Sequence, residues 1–503
     1  MRKNHGGRIR ALGRAIAAAM IVSASGCGAD PEPSARATAR PELSASKLLA
    51  DLGDPVAVLI VTGQQEGHFE PCGCSRGQAG GLLRRSNLVE RLRAAGRPTV
   101  LIDLGGLADD PASARGGPEH AAIRFRFAAE ALAILRYDAI AIAPDDLKLG
   151  AGRALEIFRD RLGPETKLVA ANVQPAETHR SIVRPSRIVQ AGPIRLGLTA
   201  VVDPAAMAAV SPDVRPHLPT IQSPDDSLPA VLADLESRSD FQVLMVQGPP
   251  DLAARLASAF PGFEIVVATS EGETPRTRRP EFLNDGRTTL VSVGRKGMYV
   301  GAFAFGDAPE HRPRYRLLTL DDRYDGPGSI KERIPDAYRA ALRSARLVEE
   351  APQHPAPGGA NYVGALTCRS CHPKTYERWA ATPHARAFES ILRDPRPDVV
   401  FDPDCVACHT TGFGVSSGWR SREATPQLAG NQCENCHGPG SRHVEKPDDR
   451  PLQKVMAIGD DRARGRLCAR CHDHDNAPGF DPAQRWSQIV HDRLDPHPTV
   501  ASP

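Results

Sequence analysis

The sequence predicts a multidomain protein, with an α/β layered domain in its N-terminal half and a mainly α, irregular domain towards its C-terminus. Three observations carry this expectation. The chain has 503 residues, more than one hydrophobic core organises. Short apolar runs alternate with helical stretches across residues 54–325. Eight of the 11 cysteines fall within residues 361–495.

Residues 1–26 read as an export signal. Arg2, Lys3, Arg8, Arg10 and Arg14 precede a short apolar run from Ala15 to Val22. That run is far short of the roughly 20 residues a membrane span needs, and no other segment approaches that length. The stretch Ala24-Ser25-Gly26-Cys27 resembles a bacterial lipobox, in which the cysteine is lipidated. Cys27 is then a lipid anchor; a soluble periplasmic protein is the alternative. Residues 27–53, rich in Pro, Ala and Ser between Ala29 and Ser46, read as a flexible tether. The expected product is an exported lipoprotein facing the periplasm, on the outer rather than the inner membrane, touching the bilayer through its lipid alone. A net charge of +3, spread along the chain, excludes nucleic acid as a partner.

The α/β pattern begins at Pro55 to Gly63 (PVAVLIVTG), an apolar run ending in glycine that reads as a buried strand. Gly80 to Gly96 has helical spacing, PTVLIDLGG is a second strand and His120 to Tyr137 a second helix. DAIAIAP, KLVAANV, FQVLMVQG and FEIVVATS continue the alternation, and IRLGLTAVV and TTLVSV…MYVGAFAF read as sheet or hairpin strands. Residues 326–360 form a helical linker. Its apolar positions Ile330, Ile334, Tyr338, Leu342 and Ala345 recur at helical spacing, which predicts one helix over Ile330 to Glu350 packed on a neighbour. His120, His179, His217, His311 and His354 lie in polar or Pro-containing surroundings and read as surface residues.

The eight C-terminal cysteines form four copies of one pattern: Cys368-Arg-Ser-Cys371-His372, Cys405-Val-Ala-Cys408-His409, Cys433-Glu-Asn-Cys436-His437 and Cys468-Ala-Arg-Cys471-His472. C-x-x-C-H is the attachment signature of c-type haem. The two thiols add to the haem vinyl groups, and the adjacent imidazole ligates the iron. Zinc would call for cysteine pairs without the histidine, or a His-x3-5-His partner. Four haem c groups are therefore expected, with His372, His409, His437 and His472 as proximal ligands. Intervals of 37, 28 and 35 residues between motifs exclude a tandem repeat. Porphyrin would replace a side-chain core, so helices should be short, with Trp379, Trp419 and Trp486 packed on haem faces. Of the remaining histidines, His474 is too close to His472 to cross the same haem, and His497 lies in the Pro-rich tail, residues 496–503. His384, His443 and His491 remain as three distal candidates for four irons.

Tyr362 to His491 resembles the tetrahaem cytochrome c554 family through CRSCHPKTYERWAATPHARAF, DCVACHTTGFG, NQCENCHGPGSRHV, CARCH and FDPAQRWSQIVH. The resemblance implies that His384, His443 and His491 are distal ligands to three haems. It leaves the haem of Cys405, Cys408 and His409 five-coordinate. It also implies electron transfer through closely stacked haems between redox partner proteins.

The N-terminal landmarks resemble the 5'-nucleotidase branch of the calcineurin-like metallophosphatases: QEGH (Gln65 to His68), GGLLRR (Gly80 to Arg85), DLGG (Asp103 to Gly106), APDD (Ala143 to Asp146), VQG around Gln247 and ATSEGE (Ala268 to Glu273). This implies a metallophosphatase-like sandwich from which most metal ligands are missing. Gly106 stands at the bridging aspartate position and Pro144 at the asparagine position, while Gln247 and the Ser270 region offer no histidine. A di-metal hydrolase needs those donors to hold both ions and acidify a bridging water. Glu66 and His68 remain, with Asp103 outside the bridging position. The loop Glu70-Pro-Cys72-Gly-Cys74 resembles a feature of a related metallophosphatase-like group. Three readings of it stand: a thiol redox or sulfur-carrying pair, a soft-metal site of Glu66, His68, Cys72 and Cys74, or a structural element.

Two functions follow. The first is an extracytoplasmic tetrahaem cytochrome, an electron carrier rather than an enzyme, with the N-terminal domain as a binding or docking module. The second is a fused redox enzyme in which that domain acts on a sulfur or phosphate-ester substrate at Cys72 and Cys74 and the haems carry the electrons.

Overall fold

Strand β1 (Ala57–Thr62) is apolar almost throughout because both of its faces are covered. Ala57, Leu59 and Val61 enter one apolar cluster, and Val58 and Ile60 enter another. The computed structural model describes residues 44–70, 78–210, 212, 214–215, 218–307, 312–491 and 494–495. After β1 come β2 (Thr99–Asp103), β3 (Ala139–Ala141), β4 (Lys167–Val169), β5 (Val173–Gln174), β6 (Val183–Arg184), β7 (Ser186–Ala191) and β8 (Ile194–Val202). They are followed by β9 (Thr220–Ile221), β10 (Phe241–Gln247), β11 (Ile265–Ala268), β12 (Glu281–Leu283), β13 (Thr288–Ser292), β14 (Tyr299–Phe305) and β15 (Arg314–Thr319). Helices α1 (Ala45–Asp51), α2 (Leu82–Ala94), α3 (Gly117–Ile134), α4 (Pro144–Leu147), α5 (Ala151–Arg161), α6 (Pro224–Arg238) and α7 (Pro250–Ala259) lie before or between them; α1 falls within residues 27–53, expected as a flexible tether, but Leu48 and Leu52 are buried in the main apolar cluster.

Seven strands form one sheet in the order β15-β14-β1-β2-β3-β4-β6, and six form another in the order β12-β13-β11-β10-β8-β7. In the first, β1, β2, β3, β4 and β6 are parallel, and β14 and β15 pair antiparallel at one side. In the second, β8, β10, β11 and β13 are parallel between antiparallel edges. The inner faces meet, with Leu59, Val61 and Phe303 of one sheet in the same cluster as Leu198, Val243 and Val267 of the other. The outer face of the first sheet packs on α2, α3 and α5, and that of the second on α6 and α7. The result is the expected α/β layered sandwich, in four layers. Each buried Leu or Val stabilises it by about 1.5–3 kcal/mol.

The linker departs from expectation in detail. Ile330, Ile334, Tyr338 and Leu342 are buried against the outer helical layer. They lie on two helices, α8 (Ser329–Arg333) and α9 (Pro335–Ser344), rather than one. Pro335 has no N–H with which to continue α8, and its fixed φ suits the first position of α9.

The C-terminal region contains only short helices: α10 (Ala365–Arg369), α11 (Pro373–Ala380), α12 (Ala387–Leu392), α13 (Pro403–His409), α14 (Cys433–His437), α15 (Ser441–Glu445), α16 (Arg450–Val455), α17 (Asp461–Cys468) and α18 (Pro482–Trp486). Helices α11, α15, α16, α17 and α18 bury none of their residues. The apolar cluster here is small: Val348, Phe388, Ile391, Val399, Val406, Trp419 and Leu428. Trp419 packs on Phe388, with ring centroids 4.9 Å apart. Among the described residues no helix is long and apolar enough to cross a membrane.

The two regions belong to one compact unit. Glu70 pairs with Arg396 at 2.7 Å, Gln78 donates to the carbonyl of Asp475 at 2.5 Å and Lys296 pairs with Asp475. Arg124 on α3 holds Asp109 at 2.9 Å and, on its other nitrogen, Asp404 at the start of α13. Beside it lies His120, expected at the surface but 0% exposed. The Gly116 N–H donates to His120 Nδ1 at 3.3 Å, so Nε2 carries the proton and donates to the Tyr338 hydroxyl at 3.0 Å. Burial, followed by the charge of Arg124, lowers the His120 pKa to about 3 from 6.5.

Two outcomes follow from this cluster. Between pH 6.5 and 3 the unfolded chain protonates His120 and the folded chain does not, so acid removes stability across that window and leaves it unchanged above. His120→Gln should therefore narrow the stability loss between pH 7 and pH 4 by about 3 kcal/mol in urea titrations; parallel wild-type and variant curves would contradict this. Arg124→Ala leaves the partly buried Asp404 without its cation and should cost roughly 2–4 kcal/mol, and an unshifted urea midpoint would count against it.

Candidate functional site

Helical turns assemble each C-x-x-C-H motif. The N–H of His372 bonds to the carbonyl of Cys368 at 2.9 Å, and that of His472 to Cys468 at 2.8 Å. The first cysteine and the histidine, four residues apart, thus share one side of a turn, with the second cysteine three residues from the first. Cys405, Cys408 and His409 lie on α13, and Cys433, Cys436 and His437 form α14.

Three of the four motif histidines face a second imidazole. His372 and His443 have ring centroids 6.4 Å apart and planes 20° from parallel. His384 and His472 are 6.0 Å apart, and His437 and His491 are 5.8 Å apart. Metal–imidazole bonds are roughly 2 Å long, so one ion between two rings sets their centroids about 6 Å apart. The pairs therefore fit an iron held by two imidazoles. Direct stacking would bring the rings closer.

His409 is set differently. Its Nδ1 donates to the carbonyl of Ala387 at 2.6 Å, and the Ser390 hydroxyl lies 3.1 Å away. A carbonyl only accepts, so Nδ1 holds the proton and Nε2 keeps its lone pair for a metal. His437 has the same tautomer, with Nδ1 donating to the Met456 carbonyl at 2.7 Å. Cysteines from different motifs also meet: Cys368 contacts Cys433, and Cys408 contacts Cys471. Motif 1 thus adjoins motif 3, and motif 2 adjoins motif 4. The exposed His474 lies 3.5 Å from Glu273 of the α/β region.

At the C-terminal edge of the parallel strands, most polar groups are committed to one another. Asp103, fully buried, accepts from Thr62 and from the Gly105 N–H at 2.8 Å and pairs with Arg85 at 3.4 Å. Arg85 also holds Gln65, and Gln247 donates to the carbonyl of Leu104. Gln64 bonds Ser270 through both amide atoms. Pro144 opens α4, so Asp146 reaches the N–H groups of Gly106, Leu107 and Ala108 at 2.7–3.0 Å. Burial raises Asp146 to about 7, with those N–H bonds pulling the other way. Gly105 has φ +79°, and a Cβ there would meet the Ala141 carbonyl at 2.4 Å.

Glu66 has φ 51°, a conformation that costs a non-glycine residue on the order of 1 kcal/mol, and its carboxylate is held by Arg295. Burial raises its pKa. His68 is driven towards its neutral form by burial and then by Arg124 and Lys296, and its Nδ1 lies 3.2 Å from the Gln65 carbonyl. Cys72, Cys74 and Cys27 lie outside the described residues. Among the described residues, donor sets able to hold an ion fall elsewhere: His120 with Asp402 and Asp404, and Glu273 with His474 and Asp475. In the first, Asp404 is already paired with Arg124; in the second, Asp475 is paired with Lys296. Sequence reasoning gave no signal for these cross-region partners, because Arg124 and Asp404 stand 280 residues apart.

The family described as Cytochrome c554 and c-prime matches residues 367–438. Cytochrome c-554 of Nitrosomonas europaea is 33% identical over 136 residues, covering 22% of this chain and 58% of that protein. The 5'-nucleotidase precursor of Thermus thermophilus is similar with a TM-score of 0.45 and 18% identity, covering 57% of this chain and 59% of its own. The calcineurin-like phosphoesterase YfkN of Bacillus subtilis is similar with a TM-score of 0.44 and 14% identity, covering 57% of this chain and 97% of its own. The chain thus spans less than two thirds of the cytochrome and of the nucleotidase. Residues 367–438 are thus similar to the family described as Cytochrome c554 and c-prime, and in this chain they follow a four-layered α/β domain.

Proposed function

We propose that the chain is an extracytoplasmic tetrahaem cytochrome that relays electrons between redox partner proteins. In this reading residues 361–495 hold the haems and the α/β domain, residues 54–325, is a binding or docking module joined by residues 326–360. The observation that carries the reading is the set of three imidazole pairs at 5.8–6.4 Å. The eight motif cysteines attach four haem c groups. His372, His409, His437 and His472 are the proximal ligands, opposed by His443 at His372, His491 at His437 and His384 at His472. His409 has no such partner among the described residues, and its Nε2 would be the one protein nitrogen offered to the group held there. Bound there, haem supplies reversible one-electron transfer. The chain supplies orientation: the carbonyls of Ala387 and Met456 fix two tautomers, and the thiol contacts group the four motifs as two neighbouring pairs. Residues 1–26 direct export and Cys27 anchors the protein to the outer membrane, facing the periplasm.

One observation favours the fused redox enzyme as a second reading. Glu70 and Gln78, which flank residues 71–77, both bond the cytochrome-like region. A substrate handled at Cys72 and Cys74 would then lie close in sequence to residues that touch that region.

In the oxidised protein, His443→Ala should convert one of three low-spin signals to high-spin in electron paramagnetic resonance spectra. An unchanged spectrum would reject the pairing with His372. Cys72→Ser with Cys74→Ser should leave electron transfer intact. Loss of turnover of a sulfur or phosphate-ester substrate in that variant would favour the second reading, and unchanged turnover would dismiss it.

A further inference from the structure

The α/β domain supplies part of a pocket wall to the cytochrome-like region. A cavity of 750 Å³ is lined by Arg115 and Pro118 on one side and by His384, Cys468, Cys471 and His472 on the other. Arg115 belongs to the loop between β2 and α3. Its Nη1 lies 3.0 Å from Cys408 Sγ in the second motif and 3.5 Å from the carbonyl of Asp404. Its Nη2 donates at 3.4 Å to the carbonyl of Arg470, between the two cysteines of the fourth motif. One cation from the α/β domain thus touches both members of the neighbouring pair formed by motifs 2 and 4.

The surroundings hold that cation in place. The N–H groups of Ser113 and Ala114 bond to the carbonyl of Asp110, and the Gly116 N–H bonds to the buried His120. Gly116 lies flat against α13: a Cβ there would meet Pro403 at 2.8 Å. Asp404, a side-chain counter-charge that acts on Arg115, is paired with Arg124. A fixed charge in a partly desolvated pocket acts more strongly than one in bulk water. Adding an electron to a group attached at Cys408 or Cys471 adds negative charge beside this guanidinium, which favours the reduced form.

Resting on the haem reading above, we infer that Arg115 is a positioning residue for electron flow. It raises the reduction potentials at motifs 2 and 4, where it touches Cys408 and the carbonyl of Arg470, and leaves those at motifs 1 and 3 unmoved. The α/β domain thereby shifts the electrons of the relay towards motifs 2 and 4, with no bond or proton changed.

The test is spectroelectrochemical titration of the full-length, haem-loaded protein and of Arg115→Gln and Arg115→Lys, with haem counted per chain. Arg115→Gln should lower the midpoint of the high-spin component, assigned to motif 2, by about tenfold in equilibrium constant, ~59 mV for a one-electron couple. Arg115→Lys keeps the charge and should lose less than half of that shift. The components of His372 with His443 and of His437 with His491 should not move. With four haems present, the inference is overturned if Gln moves no midpoint, if Lys shifts it as far as Gln, or if all components shift alike. Fewer than four haems in the wild type would overturn the haem reading instead.

Discussion

The separation of about 6 Å between paired imidazoles is the constraint on which the C-terminal half depends. Five of its helices bury no residue of their own, and helices of this length are not stable alone in water. The small cluster around Trp419 and Phe388 reaches only part of the region. In the proposed reading, the rest is ordered by the pairing of His372, His437 and His472 each with a histidine from a different helix or loop. A bound iron between each pair would cross-link segments distant in sequence, as a core does elsewhere. The four-layered half needs no such device, because its two sheets and their helices form continuous apolar clusters.

The junction of the halves is polar, and its contacts converge on motifs 2 and 4. Arg124 meets Asp404 at the start of α13, while Gln78 and Lys296 meet Asp475 three residues beyond His472. Gln78 and Lys296 lie in the segments that follow β1 and β13, at the edge where α/β folds build their sites, and Arg124 lies on α3, the helix after β2. That edge is occupied by internal pairing, as with Gln64 to Ser270, Arg85 to Asp103 and Asp146 to three backbone N–H groups. The polar contacts at this edge that are not internal to the α/β domain reach the cytochrome-like region.

The alternation of apolar runs made the layered half legible, and the four C-x-x-C-H motifs made the cofactor class legible. Which face of β1 meets the second sheet was not, since Val58 and Leu59 are equally apolar and only the third dimension separates them. The break at Pro335 was readable from the missing N–H but was outweighed by helical spacing on both sides. His120 was misread because its neighbours in sequence are ordinary, while its partner Tyr338 lies 218 residues away. The matching of His443, His491 and His384 to the motif histidines they face carries no local signal, because it depends on how the loops close. Arg115 is equally silent in the sequence, being one arginine in a polar loop.

In the proposed reading four irons sit in this chain, three between two imidazoles and one on His409 alone. Iron quantified per chain, together with integration of the low-spin and high-spin signals of the oxidised wild-type protein by electron paramagnetic resonance, decides it. The expected result is four irons in a ratio of three low-spin to one high-spin. Four low-spin signals, fewer irons, or zinc in place of iron would contradict it.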